Sequence, residues 1–169
     1  MELARDLTPP RPGPKMEFLT ARNTQPQSFI CISRRIWAHH VHWIGERTAA
    51  CKLAVGLDGQ VTTKCEHCSA QRPVRWRGYL HMVPYGGQTD LFLCLTPGAG
   101  WELLQELGKE YDLRGLRMEV FRTGKAATSL LKVRVLAQYD RVELEREELD
   151  PGPYLETVFR KNRPLSLPT

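Results

Sequence analysis

Residues 29–44 are rich in β-branched and aromatic side chains, which predicts one or two strands. A strict alternation follows at residues 75–83. There Arg75, Arg77, Tyr79 and His81 fall on one side of an extended chain, and Trp76, Leu80 and Met82 fall on the other. The sequence Pro84-Tyr85-Gly86-Gly87 ends that strand with a turn. Residues 91–95 read as a short, wholly apolar strand. Thr96-Pro97 then opens a helix, with Thr at the N-cap and Pro at the first helical position. Trp101, Leu104 and Leu107 give this helix an apolar stripe, and Gly108 closes or interrupts it. Alternation returns at residues 114–122 and 130–136. Leu116, Met118 and Val120 alternate with Arg117, Glu119 and Phe121; Leu131, Val133 and Val135 alternate with Lys132 and Arg134. These segments read as paired strands around a loop containing Gly124.

Residues 45–70 contain Gly and Thr and hold three cysteines, which predicts an inserted loop or small ribbon held by a metal. The element order is strand, strand with a metal-bearing insert, strand, helix, two strands. This gives a mainly β (α+β) fold class: an OB-like five-stranded barrel with one helix and an inserted zinc-binding loop. Three regions are expected. Residues 1–27 form a disordered Pro-rich tail, because the run from Thr8 to Pro14 can neither pair as strand nor continue as helix. Residues 28–137 form the domain. Residues 138–169 form an acidic segment, helical in reading and stopped by Pro151-Gly152-Pro153, followed by a flexible tail.

Charge sharpens this division. The 169-residue chain has a formal net charge of +5. Residues 28–137 hold 15 Lys/Arg against 9 Asp/Glu, whereas residues 140–150 hold two Arg against six acids. The basic middle suits a polyanion, of which nucleic acid is the commonest. Five cysteines, with no secretory signal and no apolar run of membrane-spanning length, fit reduced thiols in a cytoplasmic protein. Clustered cysteines then point to metal rather than to disulfides.

The metal-binding reading rests on spacing. Cys65-Glu66-His67-Cys68 is a C-x-x-C knuckle. Cys51 lies thirteen intervening residues before it, and His42 eight before that. His42, Cys51, Cys65 and Cys68 supply four ligands for one tetrahedral, structural Zn2+, with no position left for a catalytic water. His39, His40 or His67 are the alternatives to His42 as the nitrogen ligand. A redox role for the knuckle lacks the surrounding βαβ pattern. Cys31 and Cys94 lie in apolar stretches and read as core, as do Trp37, Trp43 and Trp101. Trp43 adjoins His42 and is a candidate to pack around the ligands.

The polar faces carry a second chemistry. Arg75, Arg77 and Tyr79 interleave cations with a ring, and Arg117, Phe121, Lys132 and Arg134 share one surface if their strands pair. Arg122 and Lys125 sit at or near the intervening loop. Single-stranded nucleic acid asks for this mixture, guanidinium for phosphate and flat rings for unstacked bases. An ordinary solvated sheet face also favours Arg and Lys.

His42, Cys51, Cys65 and Cys68, followed by Arg75-Trp76-Arg77-Gly78-Tyr79, resemble the zinc-containing, helix-destabilising single-stranded-DNA-binding proteins of T-even phages and similar mobile elements. The resemblance spans residues 30–137. It implies an OB-fold bearing an H…C…C-x-x-C zinc subdomain and non-enzymatic, weakly sequence-specific binding of single-stranded DNA. It also implies partners among replication, recombination or transposition proteins. The acidic residues 140–150 are similar in charge to that family's partner-binding region.

Two other readings compete. A zinc-ribbon protein–protein adaptor needs the same metal site and no basic face. Alternatively, His40-Val41-His42 resembles the metal-binding motif of HUH nucleases and small transposases, in which two histidines hold a divalent ion and a tyrosine attacks the phosphate. Tyr79, Tyr111 and Tyr139 are the tyrosines available to it. No Walker-type phosphate loop, H-E-x-x-H or G-x-S-x-G motif is present.

Overall fold

A computed structural model describes residues 17–19, 24–45, 47–55, 59–108, 111–126, 129–138 and 145–161. The Pro-rich run before residue 17, Tyr139 and the acidic residues 140–144 lie outside the described residues. The strands are β1 (Glu17–Leu19), β2 (Gln27–Cys31), β3 (Trp37–Ile44), β4 (Arg47–Ala50), β5 (Ala54–Val55), β6 (Val61–Thr63), β7 (Val74–Pro84), β8 (Leu91–Leu95), β9 (Leu116–Arg122) and β10 (Leu131–Gln138). The helices are α1 (Glu66–Ser69), α2 (Pro97–Leu107) and α3 (Gly152–Lys161).

The protein is mainly β, and β7 organises it. Its eleven residues pair along one edge with β8. Its other edge pairs first with β3, Trp37–His42 against Tyr79–Val74, and then with β2, Phe29–Cys31 against Pro84–Met82. β2 and β3 are thus one strand path interrupted at residues 32–36. The backbone N–H groups of Ile32 and Ser33 both reach the His81 carbonyl across this break, and Ser33 Oγ accepts from the His81 N–H at 2.8 Å. β2 continues the sheet to β9, and β9 to β10. The path β8-β7-β2-β9-β10, with α2 between β8 and β9, matches the expected element order. The sheet is nevertheless larger than five strands: β3 and β4 extend it, and β1 adds to β8 in parallel. Among the described residues no ladder joins β10 to β8, so the expected barrel is an open sheet.

Alternation decides which face is core. Phe29, Cys31, Leu80, Met82, Leu91, Leu93, Leu95, Met118, Val120, Leu131 and Val133 share the inner face with Ala99 and Leu103 of α2. Cys31 and Cys94 are buried, as expected. Thr96 caps α2, its Oγ1 accepting from the Ala99 N–H at 3.3 Å. The expected stripe is corrected at Trp101, which is 66% exposed; Leu107 packs against the core as expected, and the helix also buries Ala99, Gly100 and Leu103. Small residues are needed there because the Trp76 ring lies against the helix; a Cβ built on Gly100 would stand 2.7 Å from it, and one on Gly78 would stand 2.4 Å from it. Trp37 and Trp43, expected in the core, are 39% and 48% exposed, and Trp76 packs against the core in their place.

Both ends depart from the expected tails. β1 lies inside the stretch read as disordered, and α3 lies inside the stretch read as flexible. The Pro151-Gly152-Pro153 sequence starts a helix rather than stopping one, and residues 145–150 carry no regular secondary structure rather than forming a helix.

Candidate metal centre and basic face

The insert between β3 and β7 brings four side chains together. His42 lies on β3 and is fully buried. Cys51 follows β4, and its N–H donates to the His40 carbonyl at 2.9 Å, prolonging the β3–β4 ladder. Cys65 and Cys68 flank one turn. Cys65 is the N-cap residue of α1, and its carbonyl accepts from the Ser69 N–H at 3.0 Å and from Ser69 Oγ at 3.2 Å. Gln71 takes a left-handed conformation, φ 54°, to turn the chain back into β7.

The ligand atoms of His42, Cys51, Cys65 and Cys68 all lie within 4.8 Å of one another. Cys51 Sγ is 3.6 Å from Cys68 Sγ, and His42 Nε2 is 3.5 Å from Cys65 Sγ and 3.4 Å from Cys68 Sγ. Tetrahedral zinc, with its ordinary bond lengths, sets sulfur–sulfur edges of about 3.8 Å and sulfur–nitrogen edges of about 3.6 Å. The cluster can therefore hold one metal ion and is compatible with zinc. His42 Nδ1 lies 3.2 Å from the Arg72 carbonyl, so it carries the proton and leaves Nε2 bare toward the sulfurs. Backbone N–H groups, that of Lys52 first, lower the Cys65 pKa, whereas burial and the neighbouring thiols raise that of Cys68. A cation relieves this conflict by allowing the thiolates to coexist. Of the alternative ligands, His39 faces Tyr79, His40 is exposed, and the His67 ring stands 5.4 Å from that of His42. His40 is not among the four clustered side chains.

The basic residues divide between two regions of the outer sheet face. On β7, Arg75 is exposed and Arg77 half-buried. Tyr79 departs from expectation: it is 5% exposed, with its hydroxyl 3.0 Å from His39 Nε2, and burial raises its pKa. A ring so enclosed is no platform for a base. On β9 and β10 the register pairs Phe121 with Lys132 and Glu119 with Arg134, which sets Arg117, Phe121, Lys132 and Arg134 on one face. The Arg117 guanidinium stacks 3.8 Å from the Tyr85 ring centroid, and Arg134 stands 5.9 Å from that of Phe121. Arg134 also pairs with Glu119, and Lys132 Nζ meets Glu102 at 2.6 Å. Arg122 donates to the Ser129 carbonyl at 2.7 Å, and Lys125 is exposed in the loop. The sequence reading missed Tyr85. Its turn position was legible, but its stacking beneath a cation two strands away in sequence was not.

No family model, curated protein or solved structure matches the chain. Among the described residues, no helix is long and apolar enough to cross a membrane.

Proposed function

We propose that the chain is a zinc-stabilised, non-enzymatic binder of single-stranded nucleic acid, DNA in the first instance, with little sequence preference. The observation that carries this reading is the partly exposed outer face of β9 and β10. There Arg117 and Arg134 alternate with Phe121 and the neighbouring Tyr85. Rings take unstacked bases and cations track the phosphates. Lys132 and Arg134 exchange Glu102 and Glu119 for phosphate on binding, while Arg122 and Lys125 extend the charge along the loop. Zinc at His42, Cys51, Cys65 and Cys68 holds the insert closed and takes no part in chemistry. The OB-like strand path of β8-β7-β2-β9-β10 supports the same reading, because OB folds bind oligonucleotides on their second and third strands and at the loop between the last two, which here is the β9–β10 loop carrying Lys125.

Phe121→Ala tests the reading. It weakens binding to a labelled single-stranded oligonucleotide by about 1–3 kcal/mol, the worth of one stacked base. An unchanged affinity in the folded variant removes this face from binding.

A zinc-held protein–protein adaptor is the second reading. Trp43, Leu53, Val61 and Val74, all exposed on or around the metal-bearing insert, favour it.

A further inference from the structure

The outer face of β7 continues across its neighbours. Trp37 pairs with Tyr79 and His39 with Arg77 on one side, and Phe92 pairs with His81 on the other. Residues 145–161 lie across this face. Arg146 Nη1 bonds Asp90 Oδ2 at 2.6 Å, and its Nη2 reaches the Gln88 carbonyl at 2.7 Å. The Arg146 carbonyl accepts from Arg114. Trp37 Nε1 donates to Glu148 Oε1 at 2.9 Å. Pro151 is buried, the Tyr154 ring meets Phe92 edge-on at 5.4 Å, and α3 packs on β4.

His81 lies beneath this segment, 1% exposed. Its Nε2 is 2.8 Å from Asp90 Oδ1, and its Nδ1 is 3.2 Å from the Leu149 backbone nitrogen. A backbone N–H only donates, so Nδ1 must offer its lone pair and Nε2 must carry the proton. The neutral ring satisfies both partners. The imidazolium would set a second N–H on Nδ1, directly against that of Leu149.

We propose that residues 145–161 are a strap latched over the outer face by neutral His81, and that protonation of His81 releases it. The groups around the ring set the direction. Burial lowers the His81 pKa; Asp90 and Glu148 oppose this, and Arg146, drawn onto Asp90, reinforces it. The net shift is downward, so the released state binds the proton more readily. Latching is therefore complete above the ordinary histidine pKa and is lost as pH falls below it. Release uncovers Trp37 and the ring of Phe92, which now meet Glu148 and Tyr154 of the strap.

Hydrogen exchange of the zinc-loaded full chain, corrected for intrinsic exchange rates, reads the latch without any ligand. The result therefore stands apart from the nucleic-acid reading. Between about pH 7 and pH 5.5, protection of residues 145–157 falls by up to about tenfold per pH unit, the limit for one linked proton. His81→Gln, which can accept from Leu149 and donate to Asp90 without titrating, loses that pH dependence. Arg146→Gln, which leaves His81 in place but removes the cation that helps lower its pKa, weakens the pH dependence of protection. Wild-type protection that does not change with pH, His81→Gln keeping the same dependence, or Arg146→Gln leaving that dependence unchanged overturns the latch.

Discussion

His42 turns its Nδ1 to the Arg72 carbonyl at 3.2 Å, and so aims its Nε2 at the sulfurs of Cys65 and Cys68. One backbone carbonyl, at the entrance to β7, fixes the tautomer that metal binding requires. Protein purified without chelators is accordingly expected to carry about one zinc per chain by elemental analysis. Cys68→Ser loses most of it, and a strong chelator lowers the thermal midpoint of the wild type while leaving that of the variant nearly unmoved. Absence of zinc from the folded wild type rejects the site.

The tip of the Trp76 ring lies against two glycines: a Cβ added at Gly78 would stand 2.4 Å from it and one at Gly100 2.7 Å. Gly100→Ala is expected to cost about 1–3 kcal/mol by overpacking. Urea denaturation measures this, and a neutral result would mean that the ring has room the structure does not show.

Tyr79→Phe separates packing from binding. The phenol is enclosed and its hydroxyl meets His39. The substitution should lower stability by about 0.5–1.5 kcal/mol and leave oligonucleotide affinity unchanged. A loss of affinity at unchanged stability would return Tyr79 to the binding face.

Thr96→Ala removes the cap of α2 and should cost about 1 kcal/mol, read by the same denaturation. A larger loss would show that α2 closes the inner face more tightly than its single cap bond implies.

Features written locally were legible in the sequence. The Thr96-Pro97 helix start and the apolar strand Leu91–Leu95 each depend on neighbours a few residues apart, and the His42/Cys51/Cys65/Cys68 spacing falls within 27 residues of chain. The alternation on β9 and β10 placed Arg117, Phe121, Lys132 and Arg134 together because period two survives pairing. What covers a face is not local. Tyr79 and His81 alternate like solvated residues, yet both are buried, and the strap that meets His81 comes from the far end of the chain. On α2 only Trp101 departs from the expected stripe: Leu107 packs against the core, but small Gly100, not Trp101, faces the Trp76 ring, and that choice is made by the partner's volume. β1 is three residues long and pairs in parallel with a distant strand, too short to carry a periodic signal.

The most direct test is fluorescence anisotropy of a labelled single-stranded oligonucleotide, and of its duplex, with zinc-loaded protein across a salt series. The account predicts tighter binding to the single strand, with log affinity falling against log salt at a slope steeper than about −2, as neutralising several phosphates requires. No binding to either form, or binding indifferent to salt, would contradict it and move the assignment to the adaptor.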